Sequence, residues 1–158
     1  MNFIESIKTC FQKYAVFKGR AMRSEFWWFQ SYLFITIYGA MALDSLLWGD
    51  VFVFNGVATP LAVIFVLINI VPSASVAARR LHDIGWSGWV QLPVFLTYTA
   101  YLEIWFPDFS DTRFGVILMS VGMVSWLGFL IILIKGGKAH TNKYGPNPKS
   151  PDMGTVFN

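Results

Sequence analysis

The sequence predicts an all-α, polytopic membrane protein: a four-transmembrane-helix bundle preceded by a cytoplasmic amphipathic helix. Three observations support this fold class. Of the 158 residues, 55% are hydrophobic and only 13% are charged, whereas soluble domains carry nearer a quarter. Four apolar segments approach the roughly 20 residues that cross a bilayer core. Lys and Arg are concentrated in one set of connecting segments, which is typical of cytoplasmic loops.

Residues 1–25 form a leader with apolar residues at helical spacing, including Phe3, Ile7, Cys10 and Phe11. Polar residues such as Lys8 separate them. The pattern predicts an amphipathic helix that lies along the membrane surface or packs across the cytoplasmic ends of the other helices. The leader has no uninterrupted apolar core followed by small residues, so we expect no cleavable signal peptide.

The membrane domain is predicted at residues 26–134. Its spans are expected at about 26–48, 57–78, 86–106 and 114–134. Aromatic residues lie towards the ends of these segments, where their rings settle at headgroup depth; they are Trp27, Trp28, Trp48, Trp86, Trp89, Tyr101 and Trp105. This placement favours spans over the core of a soluble protein.

The distribution of cations predicts the orientation. The leader holds five Lys or Arg, the link between the second and third spans holds two, and the segment after the fourth span holds four. The other two links together contain a single Lys or Arg, which is Arg113. Short loops rich in Lys and Arg stay on the cytoplasmic side, so we expect both termini to be cytoplasmic.

Residues 135–158 are rich in Gly and Pro and are predicted to form an irregular cytoplasmic tail. The helix pairs share no residue pattern, so an inverted-repeat transporter has no support. One Cys excludes an internal disulfide, and one Cys with two His is too few for a structural zinc site. We expect no metal and no cofactor. A net charge of +3 spread over an apolar chain does not make a nucleic-acid surface.

Three segments carry more polar detail than insertion requires, and all are predicted on the cytoplasmic side. They are FKGRAMRSEFWWF (17–29), AARRLHDIGWSGW (77–89) and NKYGPNP (142–148). In the first, Arg20 and Arg23 precede Trp27 and Trp28. The simplest interpretation is anchoring at the interface; the alternatives are bidentate binding of lipid phosphate and pairing of Glu25 with an arginine of the second segment.

The second segment must turn the chain back into the membrane, and Gly85 with Gly88 supplies conformational freedom for the turn. If the helix continues through Asp83, Arg79 lies four residues earlier and can pair with it. A structural clamp, a ligand or lipid site using Arg80, His82 and Asp83, and catalysis all remain open. Adjacent helical residues point about 100° apart, so His82 and Asp83 cannot form a simple dyad.

The third segment has the composition of a tight turn, because Asn and Gly accept unusual backbone angles and Pro fixes its own. It could fold back beneath the bundle and let Tyr144 cover Arg79 and Arg80. That arrangement would join the three segments at one cytoplasmic surface.

Three of the polar residues within the predicted spans are candidates for function. Asp44 and Glu103 are near the external ends, where reaching water is cheap, so interfacial solvation is expected for both. Asn69 lies deeper, beside Pro72, where it can bond across helices or satisfy backbone freed by the proline.

The three segments together resemble the YhaH-like family of small bacterial inner-membrane proteins, also called domain of unknown function 805. The similarity runs from about Phe17 to Pro148, and the ARRLHDIG string followed by SGW is its most specific part. The resemblance implies a multi-pass protein of the bacterial inner membrane and carries no catalytic residue with it.

We therefore expect a non-enzymatic inner-membrane protein whose cytoplasmic Arg- and Trp-rich face binds anionic lipid or docks a partner membrane protein. The residues expected at this face are Arg20, Arg23, Trp27, Trp28, Arg79, Arg80, His82, Asp83, Trp89, Asn142 and Tyr144. One alternative is a small transporter or channel subunit that acts as a homo-oligomer and uses Asp44, Asn69 and Glu103. A membrane enzyme acting on a lipid-linked substrate is the least favoured, since no complete catalytic set is present.

Overall fold

The computed structural model describes residues 1–48, 60–99 and 113–149, and the regular elements in these ranges are helical. The elements are α1 (Phe3–Gln12), α2 (Arg23–Trp48), α3 (Pro60–Ile84), a 3-10 turn (Gly88–Val90), α4 (Gln91–Thr99) and α5 (Arg113–Ile134). The described chain contains no β-strand, although an isolated bridge joins Asn142 to Gly145. The expected all-α class is therefore confirmed.

Three helices are long and apolar enough to cross a membrane: α2, α3 and the Gly115–Ile134 part of α5. α3 continues to Ile84, beyond the predicted end at residue 78, so the arginines of the second segment are helical. The predicted third span, 86–106, contains the 3-10 turn and the nine-residue α4. Its remainder, including Glu103, lies outside the described residues.

Helices α2 and α3 pack against each other in antiparallel directions. Glu25 near the start of α2 pairs with Arg79 near the end of α3, while Asp44 near the end of α2 bonds to Leu61 at the start of α3. α1 packs on both helices, and α4 packs on α5. Phe3 of α1 contacts Trp28 edge to face, with ring centroids 5.9 Å apart.

The helix ends follow local sequence signals. Asn2 and Glu5 form a reciprocal capping box at the start of α1, with both hydrogen bonds 2.9 Å long. α3 ends in a Schellman motif: Gly85 adopts a φ of 90°, its N–H donates to the His82 carbonyl, and the Trp86 N–H donates to the Leu81 carbonyl. Glycine suits this position because it accepts positive φ without strain.

Pro72 lies inside α3, where it lacks the N–H that would bond to the carbonyl of Ile68. The hydroxyl of Tyr14, from the segment that follows α1, donates to that carbonyl at 2.7 Å. The Asn69 amide instead donates to the Phe65 carbonyl at 2.8 Å. The leader, not Asn69, therefore satisfies the backbone oxygen that the proline leaves free.

The buried core lies at the end of the bundle where α2 begins and where α3 and α5 end. Its members come from all of these helices and from α1; they include Cys10, Phe26, Phe29, Val76, Leu81 and Leu133. Away from this end, α5 exposes apolar side chains such as Val124, which is 68% exposed. Such a surface is unfavourable in water and suits contact with lipid.

Candidate functional site

A buried ionic cluster occupies the end of the bundle where the core lies. The Asp83 carboxylate pairs with two arginines at once: Arg20 Nε donates to Oδ1 at 2.8 Å, and Arg80 Nη1 donates to Oδ2. The side chains of Arg20 and Arg80 are 1% and 0% exposed. Both carboxylate oxygens are engaged, which offsets the cost of burying the charges.

The same arginines hold the segment that follows α5. Arg20 donates to the backbone carbonyls of Lys138 and His140. Arg80 donates to the carbonyls of Leu133, at 3.0 Å, and Lys135. The last carbonyls of a helix have no intrahelical donor, so the Arg80 guanidinium caps the carboxyl end of α5. We call the set of Arg20, Arg80, Asp83 and these carbonyls the arginine cluster.

A second ion pair lies beside this cluster. Arg79 donates to Glu25 Oε1, and the backbone carbonyl of Arg79 accepts from Ala21 N–H at 3.0 Å. Arg79 is 1% exposed, and its Nε and Nη2 have no hydrogen-bond partner within the described ranges. The expected pairing of Glu25 with an arginine of the second segment therefore occurs. The expected pairing of Arg79 with Asp83 is wrong, because Asp83 is occupied by Arg20 and Arg80.

His82 is held from three sides. Its Nδ1 lies 3.1 Å from the Gly19 carbonyl oxygen, and its ring stacks on Tyr144 with centroids 3.7 Å apart. The side chain of Asn142 donates to the His82 carbonyl at 2.9 Å. The third segment thus folds back beneath the bundle as expected, but Tyr144 covers His82 and not the two arginines.

Close contacts require glycine at positions 137 and 88, and the positive φ requires it at position 85. A Cβ on Gly137 would collide with the Asp83 carboxylate, and one on Gly88 would lie 2.9 Å from the Cβ of Ala78. A Cβ on Gly85 would lie 2.7 Å from Lys138 Nζ. The sequence assigned no site role to Gly137 or Tyr14, because neither belongs to a motif and their partners are distant along the chain, and none to the exposed lysines of the loop after α5.

The predicted site residues therefore divide by exposure. Arg20, Arg79, Arg80 and Asp83 are buried; Trp27, His82, Asn142 and Tyr144 are partly buried; Arg23, Trp28 and Trp89 are exposed. The cations with surface access are Arg23 and the lysines of the neighbouring loops, among them Lys18, Lys135, Lys138, Lys143 and Lys149.

The expectation that Asp44 is solvated at an interface is wrong. Asp44 is 0% exposed, and its Oδ2 accepts from the N–H groups of Leu61 and Ala62 at 3.0 and 3.3 Å. Free N–H groups and the helix dipole at an amino terminus favour a carboxylate, so Asp44 caps α3 from the neighbouring helix. Asn69 is 2% exposed.

Chemically, the arrangement supports fastening more than turnover. Both Asp83 oxygens are engaged by arginines, so the carboxylate is not free for proton transfer to a substrate. The Nδ1 atom of His82 is held by the Gly19 carbonyl and its ring by Tyr144. Within the described ranges, no three His, Cys, Asp or Glu side chains come together as metal ligands would.

Comparison with known proteins adds the family. A family model described as "Protein of unknown function (DUF805)" matches residues 14–146. Inner membrane protein YhaI of Escherichia coli is 27% identical over 139 residues, covering 87% of this chain and 90% of the relative. Inner membrane protein YhaH of the same organism is 26% identical over 138 residues, covering 87% and 91%.

No solved structure matches the chain. The matched region begins within the leader, after α1, and ends within the segment that follows α5. It contains the three polar segments except the last residues of the third. The chain belongs to the DUF805 family.

Proposed function

We propose that the protein is a non-enzymatic, multi-pass protein of the bacterial inner membrane whose cytoplasmic face binds anionic lipid headgroups. The observation that carries the proposal is the separation of cations at this face. In the part of the chain that the structure describes, three buried arginines form ion pairs within the protein; they are Arg20, Arg79 and Arg80. Arg23 and the loop lysines are instead exposed. Cations near a membrane surface each contribute about 1 kcal/mol of attraction to anionic lipid.

Exposed tryptophans accompany these cations. Trp28, Trp86 and Trp89 are 44%, 43% and 76% exposed. Indole rings prefer headgroup depth, so they would hold the rim of this face at the membrane surface while the cations reach phosphate. In this proposal the arginine cluster fixes the shape of the face, and the exposed residues around it bind lipid.

We also propose four membrane crossings with the residues before α2 and after α5 in the cytoplasm. Arg20 contacts both Asp83, at the end of α3, and the segment that follows α5. These three points are therefore on one side of the membrane. If α2, α3 and α5 each cross, α3 ends on that side and α5 begins on the other, so the connection from Ile84 to Arg113 must cross once.

Reporter fusions test the topology. Alkaline phosphatase fused after Lys149 or before α2 should be inactive, and a fusion at Arg113 should be active, because the enzyme matures only outside the cytoplasm. Fusions of a fluorescent protein at the same three positions should show the reverse pattern, with fluorescence where the phosphatase is inactive. Active phosphatase after Lys149 would contradict cytoplasmic placement of that segment.

Lipid retention tests the function. Wild-type protein extracted into nanodiscs should retain phosphatidylglycerol over phosphatidylcholine, and native mass spectrometry should show fewer bound anionic lipids in Lys135→Gln/Lys143→Gln. Both lysines are exposed and neither belongs to the hydrophobic core; because Lys143 Nζ lies 4.9 Å from the Tyr144 ring centroid, thermal unfolding of the variant verifies that its fold is kept. Arg113→Gln, at the opposite end of α5, is the control and should retain the wild-type number. Equal retention by the lysine variant would refute the proposal.

The two alternatives rank lower. A pore built on Asp44 would use a fully buried carboxylate whose Oδ2 already caps α3. It predicts ion flux in proteoliposomes that Asp44→Asn abolishes. Catalysis by His82 and Asp83 would require Asp83 to leave the two arginines that engage both of its oxygens.

A further inference from the structure

A polar pocket opens beside the arginine cluster. Its volume is about 180 Å³, and it is lined by Arg23, Asp83, Gly137, Ala139, Asn147 and Lys149. A water molecule occupies about 30 Å³ in the liquid, so the pocket has room for a tetrahedral anion and some of its hydration. The lining combines the first residue of α2 with the loop that follows α5.

The charges around this pocket do not balance. Among the described residues, Arg20 and Arg80 both pair with the Asp83 carboxylate, and Arg23 lines the same pocket as that carboxylate. The ion pairs in the described ranges use Arg20 and Arg80 but not Arg23, and Lys149 adds a further positive charge at the wall.

Asp83 does not cancel this excess. Although its carboxylate lines the pocket, both oxygens are engaged by buried arginines. Arg23 and Lys149 are exposed and free to turn towards an incoming group. A positively charged recess of this kind attracts anions, and guanidinium with ammonium is the donor pair that binds phosphate in proteins.

The position of Arg23 supports a role other than helix stability. It is the first residue of α2, where the helix dipole is positive and a cation is unfavourable. An anion bound beside it would interact favourably with both the side chain and the dipole. Nothing in the folding of α2 requires a cation there, since Glu25 in the same turn supplies the favoured charge.

We propose that this pocket is a phosphate-binding site in which Arg23 and Lys149 hold one phosphate group. It deepens the proposed function, on whose cytoplasmic placement of the face it rests. The phosphate belongs either to an anionic lipid headgroup or to a soluble phosphate compound. Arg23 is the first residue of α2 and lies four residues before Trp27. Because Trp27 is expected at headgroup depth, a lipid headgroup is within reach of Arg23.

Two measurements on the full chain distinguish the sources. In nanodiscs of phosphatidylcholine alone, inorganic phosphate should raise the thermal midpoint of the wild-type protein in a saturable manner, with sodium chloride at equal ionic strength as the reference. In nanodiscs containing phosphatidylglycerol, native mass spectrometry should show one lipid that stays bound to the protein at higher collisional activation than the other bound lipids. A response only to phosphate assigns a soluble ligand, and a response only to the lipid assigns a headgroup.

In whichever measurement the wild-type protein responds, the variant Arg23→Gln/Lys149→Gln should bind the anion at least roughly tenfold more weakly, because it removes both charge-assisted contacts. Lys135→Gln/Lys143→Gln is the matched control, with the same loss of charge outside the pocket lining. It should lower the total number of retained lipids but keep the single tight anion. Should the double variant fail to fold, Lys149→Gln alone serves, since its backbone bond to Asn147 is unaffected.

The outcomes separate the two proposals. Loss of the tight anion in the pocket variant alone supports the site, even if general lipid retention proves independent of Lys135 and Lys143 and the proposed function fails. Equal binding by wild-type protein and pocket variant, or no saturable response in either nanodisc, overturns the site whatever the general retention shows.

Discussion

The imidazole of His82 lies flat against the phenol ring of Tyr144, with centroids 3.7 Å apart and planes 6° from parallel. The two residues are far apart in the sequence, and their contact fastens the loop after α5 to the end of α3. Arg20 contributes to the same fastening through its bonds to the carbonyls of Lys138 and His140. The irregular segment is therefore part of the folded structure up to Lys149.

Replacing Tyr144 tests this contact. Tyr144→Ala removes the stacked ring, whose contribution beyond simple burial is about 0.5–1.5 kcal/mol, so residues 136–149 should exchange amide hydrogens faster. Tyr144→Phe keeps the ring and is the control. Hydrogen exchange measured by mass spectrometry gives the comparison, and equal protection in the alanine variant would show that the stacking does not hold the loop.

Gly137 and Gly136 form a matched pair. A Cβ at Gly137 would overlap the Asp83 carboxylate, while a Cβ at Gly136 meets nothing within 4 Å. We expect Gly137→Ala to lower the free energy of unfolding by about 1–3 kcal/mol, which is typical of overpacking. Gly136→Ala should have little effect. Thermal unfolding of both variants in the same detergent measures the difference, and equal midpoints would contradict the close approach of the loop to α3.

Asp83 has the largest predicted effect of the buried ionic groups. Asp83→Asn leaves Arg20 and Arg80 buried without their shared carboxylate, and breaking a buried pair costs about 3–5 kcal/mol. Glu5→Gln is a control for loss of a carboxylate, because the Glu5 side chain is 60% exposed in its ion pair with the amino terminus. The result would be contradicted if both variants unfolded at the wild-type denaturant concentration.

Much of this architecture follows from local sequence. Hydropathy predicts α2, α3 and α5 because each must be apolar over its own length, and the cation pattern predicts which ends share a side. Helical spacing allows Asp83 to pair with Arg79 or with Arg80, at four and three residues, and the structure selects Arg80. The partner Arg20 could not be predicted, because the tertiary fold brings it from the leader. The prediction that Asp44 is solvated is wrong for a similar reason. Its polar partners are backbone N–H groups of the next helix, which no residue pattern reveals.

The candidate site divides in the same way. The three segments were recognisable from their polar composition, and their common side followed from charge. Their internal arrangement depended on backbone carbonyls of Leu133, Lys135 and Lys138, which every residue type carries. No feature of the sequence therefore indicates that backbone carbonyls bury Arg80. For this reason the sequence predicts Arg20, Arg79 and Arg80 in a lipid-binding face, whereas the fold uses them for internal contacts.

Tyr14 and Pro72 allow a double-mutant cycle. Tyr14→Phe removes the hydroxyl that satisfies the Ile68 carbonyl, and an unsatisfied backbone group costs about 1–3 kcal/mol. In a Pro72→Ala background the restored N–H of residue 72 can bond to that carbonyl. The tyrosine substitution should then cost less. Equal costs in the two backgrounds would show that the hydroxyl does not compensate for the proline.

Cys10 provides a probe of the packing between the leader and the bundle. Burial, followed by the nearby Glu25 carboxylate, raises the pKa of the Cys10 thiol from 9.0 to about 12. The thiolate is the reactive form, so maleimide should modify Cys10 slowly in the folded protein and rapidly after unfolding in detergent. At pH 10 an ordinary thiol is mostly ionised whereas Cys10 in the folded protein is still mostly neutral, so its labelling should stay slower than that of an exposed thiol at both pH 8 and pH 10.

An exposed cysteine supplies the reference for this measurement. Lys8 is exposed on the same helix, so Lys8→Cys combined with Cys10→Ser should react quickly at pH 8. Because the folded pKa of Cys10 is the higher one, ionisation between about pH 9 and 12 favours the unfolded chain, and the stability contribution of the neutral thiol is lost as the pH rises through this window. Comparable labelling rates for the two cysteines at pH 8 would mean that α1 does not stay packed on α2 and α3.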